Sequence, residues 1–410
     1  MTLTVALLVL AAAGGLMTTF QTGLVLRFLG RKRPFVPGPR ERAASAFRPD
    51  GSTATPRVSV LKPLCGLDDG LEQNLASFAA LTGVTYEVIL SAARADDPAV
   101  AVARKVIRRF PATAFRLVVG GGTGVALANP KVERLVAASR EARGEILLVS
   151  DSNVRIHPGD VARIAAAFDD PTVGCVSSLF TGSEARSFGA VVESLHLLTF
   201  VLPGAVLAEF GSVPCVVGKS MALSRRALEA IGGFAAFIDV LAEDQAIGCA
   251  VRDAGLKVAL SPVVVRNVTT HRPLERALAR QVRWGKIRFA FSKLTYTGEL
   301  LLNPFPIALL ACAAAALLAP RALAPAVLLA GALLFLRLVQ GFALAQATHA
   351  DHSALQLLLL PVKDVLQLFT QAAPYFSKEV DWQGHRARLG PGTLLLPSRH
   401  ATATVAAAAA

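Results

Sequence analysis

Hydrophobic positions divide the chain into apolar ends and a middle whose period changes every few residues. Residues 3–26 hold no charged side chain, and they exceed the roughly 20 residues that cross a ~30 Å hydrocarbon core. From Arg57 onward short apolar runs alternate with amphipathic ones. Residues 58–61 read as a strand stopped by Lys62-Pro63, and 86–91, 115–119 and 146–150 as further strands. Helical spacing covers 71–81, 98–110, 131–142, 158–168 and 245–254. Pro98 stands in a first turn, and Arg108 and Arg109 at a last turn, where cations suit the helix dipole. This alternation predicts an α/β fold, a mainly parallel sheet with helices on both faces. Ligands of such sheets bind beyond the carboxyl ends of the strands. Asp97 and Asp151 each follow a strand closely and are predicted to point into that crevice.

The second half returns to membrane-type patterns. Residues 271–294 carry Arg272, Arg276, Arg280, Arg283, Lys286, Arg288 and Lys293 against the single acid Glu275. Leu274, Leu278, Val282 and Phe289 form an approximate apolar stripe, the pattern of a helix lying in a membrane interface. Residues 307–319 and 322–347 read as an apolar helical hairpin interrupted by Arg337. A charge inside a span costs about 2.5–3.5 kcal/mol on insertion scales, so Arg337 is expected to face protein or to snorkel. Residues 355–375 are apolar but contain Pro361, Lys363 and Asp364, and are read as interfacial or re-entrant.

The predicted organisation is an N-terminal transmembrane anchor at 1–30 and a basic, proline-rich linker at 31–56. A catalytic α/β domain follows at 57–270, an interfacial amphipathic helix at 271–298, a membrane region at 299–378 and a cytosolic tail at 379–410. Residues 382–388 add a basic-aromatic cluster to that tail, and alanine-rich 401–410 is predicted to be disordered.

Composition supports a membrane protein. Apolar residues make up 53% of the 410 and charged ones 17%, against about 25% charged in ordinary globular chains, and mean hydropathy is +0.51. A net charge of +13 suits an anionic membrane surface or a phosphate-bearing substrate, and the apolar ends favour these over nucleic acid. A cleaved signal peptide would need a basic stretch before its apolar run. Here Arg27, Arg31, Lys32, Arg33, Arg40 and Arg42 come after it, which predicts an uncleaved anchor with the following residues in the cytoplasm. The five cysteines are scattered, without metal-ligand spacing, and read as reduced thiols.

Several positions carry candidate chemistry. Asp151 ends a buried-type strand, and Ser152 and Asn153 add oxygen atoms of the kind that hard divalent cations take. Glu243-Asp244 opens a helix. Neighbours on a helix point ~100° apart, so one of the pair can face a cleft squarely and serve as a general base. Gly218-Lys219-Ser220 resembles the end of a phosphate loop, but Val213 stands where the first glycine belongs, which excludes that motif. Lys131, after Asn129-Pro130, and Lys219 are candidate phosphate contacts as point charges. Arg280 and Arg283 share a helix face, and with Trp284 could reach a diphosphate and a sugar at the membrane surface.

Taken in order, Ser59-Val60-Leu61-Lys62-Pro63-Leu64, Tyr86-Glu87-Val88, Asp96-Asp97-Pro98-Ala99, Asn129-Pro130-Lys131, Asp151-Ser152-Asn153-Val154-Arg155, Gly218-Lys219-Ser220, Ala242-Glu243-Asp244 and Arg280-x-x-Arg283-Trp284 resemble the ceramide glucosyltransferase family. That resemblance implies a GT-A-type catalytic domain and inverting transfer of a sugar, typically glucose from UDP-glucose, to the primary hydroxyl of ceramide at the cytoplasmic face. It implies a divalent metal, Mg2+ or Mn2+. Asp97 matches the aspartate expected at the nucleotide, and Asp151 the one expected at metal and diphosphate. Asp244 matches the expected general base, and Arg280, Arg283 and Trp284 the motif expected at diphosphate and acceptor. Lys131 joins the donor side, and Glu243, Lys219 and Trp284 are acceptor-side candidates. The composition suggests a bacterial source, hence an inner membrane. Three alternatives are the same chemistry on a hopanoid or other lipid, a polysaccharide synthase, and a non-catalytic membrane protein that binds lipid or nucleotide.

Overall fold

The computed structural model describes residues 1–30, 57–121, 128–382 and 385–397. The expected linker at 31–56, most of the glycine-rich stretch near 120–124 and the tail end at 401–410 lie wholly or largely outside the described residues.

In chain order, α1 (Thr2–Gly30) precedes β1 (Val58–Leu64), α2 (Leu71–Ala76), β2 (Tyr86–Ala92), α3 (Pro98–Arg109), β3 (Phe115–Val119), α4 (Pro130–Glu141), β4 (Ile146–Ser150) and β5 (Val154–Arg155). Then come α5 (Asp160–Ala165), β6 (Val173–Ser183), α6 (Phe188–His196), α7 (Leu202–Phe210), β7 (Ser220–Ser224), α8 (Arg225–Ala230), α9 (Glu243–Asp253) and β8 (Lys257–Val268). The remainder is α10 (Leu274–Phe291), α11 (Lys293–Gly298), α12 (Pro304–Leu318), α13 (Leu323–Ala347), α14 (Ala354–Leu357), α15 (Leu360–Ala372) and a small antiparallel sheet of β9 (Glu379–Trp382), β10 (His385–Leu389) and β11 (Leu395–Pro397). The chain divides into two compact units. One comprises residues 1–30, 182–207 and 270–410, the other 31–181 and 208–269.

The second of these is the α/β unit. Its eight strands run in the order β3-β2-β1-β4-β7-β6-β8-β5. Strands β3, β2, β1 and β4 are parallel, whereas β7 runs antiparallel to β4 and to β6, and β5 antiparallel to β8. The mainly parallel sheet therefore describes the half that carries the strand-end loops. Its strands are buried on both faces, which suits their near-continuous apolar sequence. Leu61, Ile89, Leu135, Leu147, Met221 and Ile247 belong to one core cluster.

Strand β1 runs past the expected stop at Lys62-Pro63. Its pairing with β4 ends at Leu61, while that with β2 continues to Leu64, so Pro63 can enter the strand with one side already unpaired. Lys62 is fully buried. Its Nζ donates to Ser150 Oγ at 3.2 Å and to the Asp151 carbonyl at 2.9 Å, and lies 4.0 Å from the Phe78 ring centre.

The other unit holds most of the apolar helices. Thr2–Gly30, Phe188–Phe210 and Pro320–Ala347 are each long and apolar enough to cross a membrane, and Lys293–Leu302 with Pro304–Leu318 qualifies as a pair bent by 75°. The N-terminal segment and the hairpin thus match their sequence patterns. The Phe188–Phe210 helix was not read from sequence, because Glu193 and His196 break its apolar run. Helices α1, α12 and α13 meet through Ala11, Ala308, Ala330 and Leu333, the small residues letting backbones approach. Large apolar side chains such as Leu16, Leu317, Leu328 and Phe335 point outward.

Arg337 faces protein, as the cost of burying it requires. Its Nε lies 2.7 Å from Asp364 Oδ2 and its Nη2 3.0 Å from Asp364 Oδ1 and from Thr199 Oγ1. Lys363 Nζ contacts the same carboxylate. Asp364→Asn would leave two buried cations without a counter-charge, and breaking a buried pair costs about 3–5 kcal/mol. The expected result is a clearly lower melting temperature in detergent; an unchanged one would show that the pair is not what holds α13 to α15.

Candidate active site

The strand order decides which side chains meet. In the parallel half, Leu64 pairs with Ala92 and Leu61 with Val149, so the loops carrying Gly66, Asp97 and Asp151 leave the same edge. Strand β7 is antiparallel to β4, with Ser220 opposite Ser150. That register starts β7 where β4 ends and sets Lys219 beside Asp151. Asn129 caps α4 by accepting from the Lys131 and Val132 amides, which brings Lys131 in from a third element.

These residues form a connected charged cluster. Lys131 Nζ lies 3.0 Å from Asp151 Oδ1 and 2.9 Å from Glu243 Oε1, and Lys219 Nζ 2.8 Å from Asp151 Oδ2. Lys219 also donates to Asn153 Oδ1 at 2.7 Å, and the Asn129 amide to Glu243 Oε2 at 3.2 Å. The adjacent acids on α9 divide as expected. Glu243 is buried, whereas Asp244 is partly open and accepts from the Gly218 amide at 2.6 Å. A Cβ on Gly218 would stand 2.5 Å from Lys131 Nζ and 3.2 Å from Asp244 Oδ2, so any larger residue there would displace the lysine from its place.

Electrostatics follow from that packing. Burial alone would raise the Asp151 carboxyl, but Lys131 and Lys219 hold it well below the usual range. Burial would lower Lys131, yet Asp151, Glu243 and Asp244 together push it up. Glu243 is raised, by burial first and by Asp244, although Lys131 opposes the shift. Burial pulls Lys62 down to about 7.

Not every predicted group joins the cluster. Asp97 caps α3, accepting from the Ala99 amide at 2.9 Å, and it also accepts from Gly66 at 3.0 Å. Asp96 pairs with Arg94 on the surface. Ser152 and Asn153 are each engaged: Ser152 Oγ donates to Asp68, and Asn153 Oδ1 accepts from Lys219. Arg134, one turn after Lys131, is buried and senses both Asp97 and Asp151. Its spacing from Lys131 could have revealed it, as could the unusual lysine of β1 for Lys62.

A divalent cation was also expected. Among the described residues no group of three His, Cys, Asp or Glu could hold a metal ion. Mg2+ commonly takes one or two carboxylates together with substrate phosphates rather than an all-protein cage. A carboxylate offers about four lone-pair sites, and Asp151, 24% exposed, spends one on each of two lysines. Lys131 and Lys219 are already paired with Asp151 and Glu243, so an arriving diphosphate brings charge that these two lysines do not wholly offset. The donor set fits a cation shared with substrate, held by Asp151.

The basic motif belongs to the unit of apolar helices. Against protein α10 buries Ala277, Gln281 and Gly285, whereas Leu274, Leu278 and Val282 of the apolar stripe are only partly covered. A Cβ on Gly285 would meet the Tyr296 hydroxyl at 2.7 Å, so the helix packs through its small side. Arg280 Nη1 lies 3.0 Å from buried Glu193, which also takes Arg272, and its guanidinium stacks 4.7 Å from the Trp284 ring centre. Glu193 was not singled out from sequence. Burial, with Arg280 and Arg272 nearby, lowers Arg283 to about 10.

The profile of glycosyl transferase family 21 matches residues 9–395. The chain belongs to that family. It is 28% identical over 259 residues to ceramide glucosyltransferase 3 of Caenorhabditis elegans, covering 63% of this chain and 56% of that one. Ceramide glucosyltransferase 1 of the same organism is 29% identical over 245 residues, covering 57% and 50%. The chain thus spans about half the length of the curated relatives it matches. Among solved structures, a mannosyltransferase from Pyrobaculum calidifontis in complex with GDP-Man and Mn2+ is similar at TM-score 0.45 and 21% identity, covering 89% of this chain and 99% of that one. Glucosyl-3-phosphoglycerate synthase from Mycobacterium tuberculosis, with Mn2+, UDP-glucose and phosphoglyceric acid, is similar at 0.34 and 19%, covering 55% and 76%. The α/β unit with its strand-end cluster thus lies in a chain of a glycosyltransferase family, with apolar helices near both termini.

Lys62 generates a prediction from its position under Asp151. Its value near 7 in the fold lies below the ordinary 10.5. Between those values the unfolded chain holds a proton that the folded chain has shed, so stability rises with pH. Relative to Lys62→Met, the native chain should gain melting temperature from pH 7 to pH 10 and show a flat difference below pH 7. A difference independent of pH would mean that Lys62 stays charged in the fold.

Proposed function

We propose that the protein transfers a hexose, glucose by preference, from a UDP-sugar to the primary hydroxyl of ceramide, inverting the anomeric centre. The observation that carries this is Asp151 held between Lys131 and Lys219, beside the partly open Asp244, at the strand-end edge of a family 21 glycosyltransferase. The names of its curated relatives support glucose and ceramide. Its long apolar helices support a lipid acceptor at a membrane, and residues after the anchor carry the basic excess of a cytoplasmic face.

In this reading the acceptor hydroxyl oxygen attacks the anomeric carbon as the carbon–oxygen bond to UDP breaks. The hydroxyl proton passes to Asp244, and UDP leaves with the bonding pair. Lys131 and Lys219 act as fixed cations near the diphosphate, preorganised by their shared carboxylate. Glu243 holds Lys131 in place from the acceptor side. Asp97 fixes the Gly66 loop where the nucleotide would lie. A divalent cation held by Asp151, when bound, would neutralise part of the leaving-group charge.

The test is UDP release by detergent-solubilised protein given UDP-glucose and ceramide with Mg2+ or Mn2+. Native protein should release UDP only when ceramide is present. Asp244→Asn should lose at least 100-fold in turnover, a typical general-base contribution, while keeping its affinity for UDP. Full turnover in that variant would remove Asp244 from the base role, and release driven by a hopanoid polyol but not by ceramide would refute the acceptor.

A further inference from the structure

Helix α15 is built inside out. Its buried side chains include Lys363, Asp364, Gln367, Thr370 and Gln371, whereas Val362 and Phe369 are 44% and 69% exposed. An apolar outer face suits lipid, which leaves the polar inner face to be explained. Lys363 and Asp364 are accounted for by the pairing with Arg337. The amides above them are not.

Gln371 is buried, and neither the nitrogen nor the oxygen of its side-chain amide has a partner. Gln367 is fully buried and its Oε1 accepts from Lys363 Nζ at 2.9 Å, but its amide nitrogen is unpartnered. Gln281, on α10, accepts from the Thr370 hydroxyl at 3.3 Å and likewise leaves its nitrogen unused. His196, on α6, meets Gln367 Oε1 through Nδ1 at 3.3 Å, and its Nε2 is unpartnered. All four side chains are at least nine-tenths buried. A buried polar group without a partner is destabilising, and more so in a hydrocarbon setting where no water can serve it. Four helical residues from three elements sharing that fault in one seam point to an absent partner.

The seam's chemistry narrows that partner. The unused atoms are three amide nitrogens, all donors, against two acceptors, the Gln371 amide oxygen and His196 Nε2 once Nδ1 donates to Gln367, so the missing group must bring more acceptors than donors. Gln281 also sits between Arg280 and Arg283 in the basic motif of α10. We propose that the seam between α6, α10 and α15 receives the polar head of the lipid acceptor, whose hydroxyl and carbonyl oxygens take the amide N–H groups of Gln281, Gln367 and Gln371. This inference rests on the lipid-acceptor reading above. It assigns the recognition of the head group to buried glutamines of the apolar-helix unit.

The test compares the full chain with a Gln281→Met, Gln371→Met variant in detergent. Methionine keeps the length and removes the amide. Binding of radiolabelled short-chain ceramide is measured directly, with phosphatidylglycerol as a competitor that has a lipid tail but a different head. The expected result is saturable ceramide binding weakened at least tenfold in the variant, little competition by phosphatidylglycerol, unchanged UDP affinity and a melting temperature no lower than native. Equal ceramide binding by both proteins would overturn the proposal, as would native binding of phosphatidylglycerol alone, which would make the seam a resident-lipid site. UDP release with ceramide, measured on the same native sample, tests the glycosyl-transfer reading separately. Release that persists in the variant with unchanged dependence on ceramide concentration would sink the seam and leave that reading standing.

Discussion

Asp151 accepts an ammonium group on each of its two oxygens, and the α/β unit is arranged around that double pairing. Lys131 arrives at the head of α4 and Lys219 at the start of β7, segments far apart in sequence. Bringing both to one carboxylate requires β7 to run antiparallel to β4, Asn129 to start α4 at the correct residue, and Gly218 to leave room for Lys131 Nζ. Lys62 supports the same residue from below, through its carbonyl. A partly buried carboxylate flanked by two cations stays ionised, and it keeps those cations ordered without spending substrate-binding energy on their alignment.

The apolar-helix unit meets a related constraint in a drier setting. Arg337, Lys363 and Asp364 satisfy one another, Glu193 gathers Arg272 and Arg280, and each group gains strength from exclusion of water. The same exclusion makes the unused amides of Gln281, Gln367 and Gln371 conspicuous. A helix with polar groups inside and Phe369 outside is stable only if its inner face is served by protein or ligand.

Much of this was legible in the sequence, for definite reasons. Period and length alone recovered β2, β3, β4 and the helices starting at Pro98 and Pro130, because proline and Asn129 mark their starts. The charge-free run after Leu3 read as a membrane segment, and Arg337 as a residue that must find protein. Asp151, Glu243, Asp244, Lys131 and Lys219 were all singled out, and the structure brings those five together. What failed was pairing, which local pattern does not encode. The antiparallel half of the sheet was missed, since β7 joins β4, and β6 joins β7, only through tertiary contact. Lys62 looked like a strand stop because its partners, Ser150 and Asp151, lie almost ninety residues on. The side of α10 that packs on protein was not read, because Gln281 is polar and yet buried. Asp97 stands at the strand-end edge as read, and what the pattern did not show is that its carboxylate caps α3 and holds Gly66.

The central claim is that Lys131 and Lys219, ordered by Asp151, receive the diphosphate of the donor. The most direct measurement is calorimetric affinity for UDP and for uridine in native protein and in Lys131→Met and Lys219→Met variants, at fixed Mg2+. Either variant should weaken UDP binding at least tenfold and leave uridine binding within about twofold, since loss of a charge-assisted contact to a charged group is worth about 1.5–3 kcal/mol. Unchanged UDP affinity in both variants would contradict the claim and reduce the lysine–carboxylate cluster to a structural brace.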